Sequence, residues 1–586
     1  MTLLRLAGLA RLPAGVGCLI SAGFLVSSMA LISPAGAQML APDVAERVDK
    51  VFEKWDRTDS PGCALGIYQN GQIIYKRGYG MANLNDDVTI TPETVFHVAS
   101  MSKQFTAASI LLLQQEGKLS IDDDVHKYIP ELPDFGEKIT LRNLMHHTSG
   151  LRDQWALLEL SGWRYSQDLI TDEDVMSVVT RQKELNFKPG EKYLYSNTGF
   201  TLLALTVKRV SGMSLREFTT KNIFEPLGMT HTHFRDDHEE VIKHDALGYE
   251  HDGPQGNGKP YRMNLTNFDT TGATSLHTTV EDLQLWDENF YHPKVGGTAL
   301  IELMLHRDKL NNGEMQEYAS GLAVGTYKGL PTVDHSGADA GYRSEMIRFP
   351  EQHFSTSVLC NFADTNPVRL AHEVADIVLA KDLKAPAPDA AKKPADTATL
   401  PPLTAEQMTA MAGTYWSRED DDFNLVQVKD GKLQLDVGTD DFRALKQFAP
   451  GHFHVADVPW GEDVDFHFIA AEAGKPRGLE QRQGGGKPEK FEVVAAFAPS
   501  AEQMQAFAGA YVSDEIDLVY RITAENGKLS LSRARHKPEL LKPVMTDTFA
   551  GDFGALHFKR DAKGQVSGFV LNAGRIQNLK FAKKAN

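Results

Sequence analysis

Hydrophobic and polar positions change their pattern twice along this chain. The run from Cys63 to Tyr75 is apolar on both sides of Asn70-Gly71, which predicts two strands joined by a tight hairpin. Further strand-like runs, Glu345–Phe349 and Ser355–Asn361, flank Pro350, and a helix capped by Asn366 with Pro367 at its first position follows. Between these ends apolar residues recur at helical spacing, as in Leu111–Gln115, Glu173–Gln182 and Thr279–Phe290. Strands at both ends of a helical middle predict one sheet assembled from distant parts of the chain, with a cleft where sheet and helices meet.

The pattern breaks at residues 381–402, where Ala, Pro and charge dominate and little can be buried, the composition of a linker. Beyond it the chain carries a duplication. Ala405–Tyr415 aligns with Ala501–Tyr511, and Gly431–Leu435 with Gly527–Leu531, both offset by 96 residues. Each copy opens with a short helix and continues as short alternating segments separated by Asp-Gly, Asn-Gly or Lys-Gly turns. This predicts two small antiparallel barrels or sandwiches, at 403–499 and 500–586.

Composition narrows the function. At 42% hydrophobic and 24% charged residues the chain is too apolar to be disordered, and 586 residues require several domains. A net charge of −17 offers no attraction to nucleic acid, so no nucleic-acid partner is expected. Arg5 and Arg11 precede a small and apolar run that ends in Ala35-Gly36-Ala37, the form of a signal peptide over residues 1–37. Its cleavage implies a periplasmic or secreted protein with no stable membrane insertion; an uncleaved anchor is the alternative, since the apolar run approaches spanning length. Cys63 and Cys360 lie in apolar strand-like runs and are read as buried free thiols.

The sharpest chemical signal is Ser100-Met-Ser-Lys103. If Met101 opens a helix, as Phe105, Ala108 and Leu112 imply, Ser100 and Lys103 lie one turn apart on one face. A serine hydroxyl is a poor nucleophile until a base takes its proton, and a lysine of depressed pKa in a dry cleft can do so. Alone, such a pair is more often an N-cap and a solvated lysine. Here it has company: Tyr195-Ser-Asn197 in a turn-rich stretch, and His335-Ser-Gly337 on a predicted strand before a glycine turn.

These three motifs, in this order, resemble the class C beta-lactamase and DD-peptidase superfamily over about residues 43 to 380. Leu144–Leu151, Phe187–Gly190, Pro226–Met229 and Glu281–Leu283 resemble its structural landmarks. The resemblance implies an α/β (α+β) fold, an antiparallel sheet with a helical subdomain, in a serine hydrolase domain at 38–380. It implies Ser100 as the acylated nucleophile, with Lys103 and Tyr195 sharing its proton and nearby cations lowering the Tyr195 pKa. Asn197, His335, Ser336, Gly337 and Ala338 would bind substrate, the Ser100 and Ala338 backbone N–H groups forming an oxyanion hole. Arg343 is a second candidate for a substrate carboxylate. Histidine at 335 replaces a lysine common in relatives, which weakens the fixed charge and argues against strong beta-lactamase activity.

The expected function is that of an exported serine hydrolase acting through an acyl-enzyme on amides or esters, in particular D-amino-acid peptides or amides. A carboxylesterase and a penicillin-binding sensor with little turnover are the alternatives. No cofactor and no metal is expected: His231, His233, His238, His244 and His251 crowd one polar stretch without a zinc motif. Oligomeric state is left open; the partner is a small-molecule or short-peptide substrate. His147 is read as a structural hydrogen-bonder in a His-Thr-Ser-Gly turn, and Gly484–Gly486 as a plain turn. The two tail barrels resemble the layout of bacterial D-aminopeptidase, in which a loop of the last barrel helps close the active site. Gly474–Pro488 and Arg533–Pro543 are the candidate reaching loops.

Overall fold

A computed structural model describes residues 39–252, 259–384, 400–437, 441–455, 464–471, 477–483 and 487–585. The leader, most of the linker and the Gly484–Gly486 turn read from the sequence lie outside the described residues. None of the described helices is long and apolar enough to cross a membrane.

The first block is built on a six-stranded antiparallel sheet. Its strands are β1 (Cys63–Gln69), β2 (Gln72–Tyr79), β3 (Ala323–Tyr327), β4 (Leu330–Asp339), β5 (Tyr342–Phe349) and β6 (Phe354–Cys360), in the order β3-β4-β5-β6-β1-β2. Asn70 and Gly71 take φ of 51° and 73°, the left-handed conformations that a two-residue hairpin turn requires. The β1–β6 pairing joins the two ends of the block and sets Cys63 opposite Cys360. The two form a disulfide, which corrects the reading of both as free thiols. They lie 297 residues apart, so only the strand register brings them together.

Strand β1 is buried on both faces, and its alternation divides two cores. Cys63, Leu65 and Ile67 face α1 (Pro42–Phe52) and the closing helix, with Val48, Phe52, Leu370 and Val374. Ala64 and Tyr68 face the helical subdomain. At its centre α2 (Lys103–Gln115) packs on α3 (Asn197–Ser211). Both are buried almost all round, as a helix enclosed by other helices must be. The closing helix, α4 (Pro367–Val378), is capped by Asn366 Oδ1 on the Arg369 N–H, with Pro367 in the first turn.

Two closed eight-stranded antiparallel barrels follow, over Gly413–Val494 and Gly509–Lys583. The 96-residue offset holds in atomic detail. Thr404 with Gln407 and Ser500 with Gln503 form the same capping box. Tyr415 and Tyr511 each donate a 2.6 Å hydrogen bond to the carbonyl four residues upstream. Their packing then diverges. The first barrel encloses its own core around Tyr415, Phe453 and Phe466. The second, with Phe507, Tyr520 and Phe569, is continuous with the core of the helical subdomain.

Arg152 is the polar centre of that junction. It is buried, and its guanidinium donates to Glu515 Oε2 at 2.6 Å, to Gln182 Oε1 at 2.7 Å and to the Gln577 and Asn578 carbonyls. Removing one partner of a buried ion pair strands the other, at about 3–5 kcal/mol. Arg152→Ala is therefore expected to lower unfolding stability by about that amount and to expose the last barrel to protease. Calorimetry and limited proteolysis check this; an unchanged unfolding profile would contradict it.

Candidate active site

The segment around Ser100 departs from the expected helix start in a useful way. Ala99–Ser102 is a 3-10 turn, and α2 begins only at Lys103. The Lys103 N–H donates to the Ser100 carbonyl. With three residues per turn, side chains at i and i+3 are eclipsed, so Lys103 Nζ reaches Ser100 Oγ at 2.9 Å. The turn holds Ala99 at φ 49°, an uncommon conformation for a residue with a Cβ. Strand β4 lies close against it. A Cβ on Gly337 would sit 2.3 Å from the Val98 carbonyl oxygen and 2.4 Å from Ser344 Oγ, so Gly337 supplies clearance rather than chemistry.

Lys103 is completely buried. Its Nζ also contacts Asn197 Oδ1 at 2.9 Å and the Ala273 carbonyl at 2.6 Å. Burial, helped by the field of Arg575, holds its pKa well below the ordinary lysine value, against the opposing pull of Asp153 and Asp339. Tyr195 and Ser100 line the same pocket, and the Lys103 Nζ lies 4.9 Å from the Tyr195 ring centroid. Burial pushes the Tyr195 pKa up, and the influence of Ser100 and Arg575 only partly offsets it. A cation does pull it down, as expected, but desolvation outweighs Arg575 and the free site holds a phenol.

Asn197 starts α3, where its N–H and Nδ2 both donate to Asp153 Oδ2 at 2.8 Å. Asp153 Oδ1 meanwhile caps the helix Gln154–Leu160 through the Trp155 and Ala156 N–H groups. His147 sits at φ 57°, accepts the Ser196 N–H on Nδ1 and packs against the Tyr195 ring, centroids 4.1 Å apart and planes tilted by 33°. It orients the tyrosine from behind.

On β4, His335 is buried. Its Nδ1 donates to the Ser336 carbonyl at 2.6 Å and its Nε2 accepts from the Tyr318 hydroxyl at 2.7 Å. Burial and the nearby Lys103 lower its pKa to about 3, so it is a neutral imidazole. Arg343 turns its guanidinium to the Ala340 and Tyr342 carbonyls and does not line the pocket.

Ser100, Tyr195, Asn197, His335, Ser336 and Ala338 line one pocket of about 280 Å³, with Lys103 behind it. Six lining residues belong to none of the sequence motifs: Trp155, Tyr165, Ala273, Thr274, Asp339 and Arg575. Trp155 and Tyr165 contribute an aromatic wall, their rings 5.6 Å apart. Asp339 accepts hydrogen bonds from Thr274, His97 and Tyr165; these outweigh burial and keep its pKa low. Arg575 arrives from the last barrel, on the hairpin between β7 (Val566–Ala573) and β8 (Ile576–Lys583). Of the two expected reaching loops, part of Gly474–Pro488 lies outside the described residues, and Arg533–Pro543 does not line the pocket. Arg533 and Arg535 instead meet the Glu159 carbonyl and the Asp168 carboxylate, and Lys487 pairs with Glu314. A tight turn suffices because the barrel wall already packs on the helical subdomain.

The crowded histidines pair with separate carboxylates: His231 with Asp282, His233 with Glu240, His251 with Asp364. His238 lies 3.0 Å from Asp269. With Asp237 these bring three potential ligand atoms within 4.8 Å of one another, on residues that do not line the pocket.

Residues 47–381 match the family model described as Beta-lactamase. Protein flp of Staphylococcus aureus (strain N315) is 32% identical over 333 residues, 55% of this chain and 64% of flp. Penicillin-binding protein 4* of Bacillus subtilis (strain 168) is 32% identical over 308 residues, 50% of this chain and 66% of that protein. The matches thus span just under two thirds of each curated relative. The octameric penicillin-binding protein homologue from Pyrococcus abyssi shares the fold, with a TM-score of 0.53 at 23% identity over 85% of this chain and 99% of that one. The family match takes in more than half the chain and every motif that meets at the pocket before residue 381, and this protein belongs to the beta-lactamase family of serine hydrolases.

Proposed function

We propose that this protein is an exported hydrolase that forms an acyl-enzyme on Ser100 and cleaves amide or ester bonds, with short D-amino-acid peptides and amides as its substrate class. The observation that carries this reading is the bonding of Lys103. A neutral amine has two N–H donors and one lone pair. Asn197 Oδ1 and the Ala273 carbonyl can only accept, so they take both hydrogens, and the lone pair is left for the Ser100 hydroxyl at 2.9 Å. That is the orientation of a general base.

In the proposed reaction Lys103 takes the Ser100 proton as Oγ bonds to the substrate carbonyl carbon. The carbonyl electrons move onto oxygen, which the Ser100 and Ala338 N–H groups stabilise. When the intermediate collapses, the bond to the leaving nitrogen or oxygen breaks and Tyr195 protonates it. The Lys103 ammonium then passes its proton to the tyrosinate. Water attacks the acyl group by the reverse relay, releasing the acid and restoring the serine hydroxyl. Asn197, His335 and Ser336 would hold the substrate beside these groups.

The D-amino-acid class is supported by the Ser-x-x-Lys, Tyr-x-Asn and His-x-Gly set that resembles the DD-peptidases. Export is supported by the leader pattern and by the Cys63–Cys360 bridge, a bond that persists mainly in oxidising compartments. A relative named for penicillin binding makes acylation by penicillin a second outcome to measure.

Intact-mass analysis with a fluorophosphonate and with a penicillin tests the nucleophile. The wild type is expected to gain one adduct from the phosphonate and Ser100→Ala none; labelling that survives the substitution rules the reading out. Lys103→Met, which keeps the bulk and removes the base, is expected to slow acylation by at least about 100-fold. The pH profile carries a sign. The working form of Lys103 is the neutral amine, and its lowered pKa extends that form below the ordinary value of 10.5. The labelling rate is expected to fall as the solution is acidified through the lowered pKa and to level off well before pH 10.5. A rate that climbs steadily to that pH would contradict the role.

A further inference from the structure

We propose that Arg575 determines specificity by holding a free carboxylate of the substrate, so that the last barrel selects esters and amides bearing a carboxylate beside the bond to be cleaved. This rests on the hydrolase reading above and names its substrate class more closely.

The hairpin is held at the pocket by its backbone. The Arg575 carbonyl accepts from Asn186 Nδ2 at 3.0 Å and from the Asp153 N–H at 3.4 Å, and the Gln577 N–H donates to Asn186 Oδ1 at 2.8 Å. The guanidinium carbon lies 4.7 Å from the Tyr195 ring centroid, in the wall that contains Ser100. Among the described residues no acceptor lies within hydrogen-bonding distance of the guanidinium. Its ion-pair partner, Asp153 Oδ2, is 3.7 Å away and already accepts from Asn197 N and Nδ2. The side chain is 46% exposed. A guanidinium that lines the same pocket as Ser100 without a close acceptor of its own can take a carboxylate in bidentate fashion.

The rest of the site lacks such a charge. His335 is neutral, Lys103 is buried behind the pocket as a base, and Arg343 faces backbone carbonyls. Among the described residues that line the pocket, Arg575 is the one positive charge. The weak fixed charge left by histidine at 335 is therefore made up from a different domain.

The anion is also confined to this place. Asp339, in the same pocket, repels it. Arg575 further lines a cavity of about 630 Å³ between the two barrels, whose wall carries Asp420, Asp421, Asp422 and Glu489. A carboxylate is favoured at Arg575 and disfavoured beyond it.

The experiment uses the full-length protein and two matched esters, N-acetyl-D-alanyl-D-lactate and N-acetyl-D-alanyl-D-lactamide, which differ only in a free carboxylate against a carboxamide. Selectivity is read as the ratio of kcat/KM values and, independently of turnover, as the ratio of concentrations that half-protect Ser100 from the fluorophosphonate. The wild type is expected to favour the carboxylate. Arg575→Ala is expected to lower that ratio about 10- to 100-fold, and Arg575→Lys to restore part of it. Added salt should weaken binding of the carboxylate compound alone. A ratio unchanged in Arg575→Ala, a wild type that prefers the carboxamide, or protection by neither compound overturns the proposal. Phosphonate labelling of each variant separates the two readings: an unlabelled wild type sinks the hydrolase itself, whereas labelled variants with unaltered selectivity sink only the role of Arg575.

Discussion

Lys103 begins α2 with its ammonium-forming nitrogen sealed from water, and a charged amine in such a place costs several kcal/mol unless it is fully paired. The fold around it offers one side-chain acceptor, one backbone carbonyl and one hydroxyl, and no carboxylate in direct contact. With the Ser100 hydroxyl as donor that set satisfies an uncharged amine, the form that burial favours. Much of the architecture serves to keep it so. The 3-10 turn eclipses Ser100 with it, Gly337 lets β4 close over the turn, and Gln154–Leu160 and α3 share the Asp153 carboxylate that fixes Asn197.

Arg152 and Asp153 are consecutive, yet they serve different halves of the molecule. Arg152 sends its side chain into the last barrel, and Asp153 sends its own to the start of α3. Thr198 Oγ1 donates to the Arg152 carbonyl at 2.7 Å, which ties the two together from the α3 side. Seating of the barrel and alignment of Asn197 are thus set by one short stretch of backbone. The first barrel, with its own core, stands apart from this arrangement even though it is the same fold repeated.

Much of this was legible from residue order alone, where local chemistry dictates local structure. Asn70-Gly71 announces its hairpin, Asn366-Pro367 its helix start, and the repeat at 96 residues a pair of equal barrels. The three motifs also converge on one pocket, because each combines unusual residue types at fixed spacing. What stayed hidden depended on register and on docking. Cys63 meets Cys360 only because β1 pairs with β6 in one alignment. Arg575 looked like any basic residue in a barrel turn, and the longer basic loops seemed better able to reach. Asp339 and Tyr165 belong to no motif, and their significance comes from the walls they share. The balance of burial against charge at Tyr195 likewise needs three-dimensional surroundings.

The pocket draws one serine from position 100 and its cation from position 575, so hundreds of residues separate the two in order of synthesis. A ribosome that has released the whole hydrolase block has still not delivered the guanidinium. The nascent chain therefore passes through a long interval in which Ser100, Lys103 and Tyr195 are made but Arg575 is not. Every other residue that lines the pocket is already made by position 339, so a chain stopped within that interval has all of the lining except this one side chain.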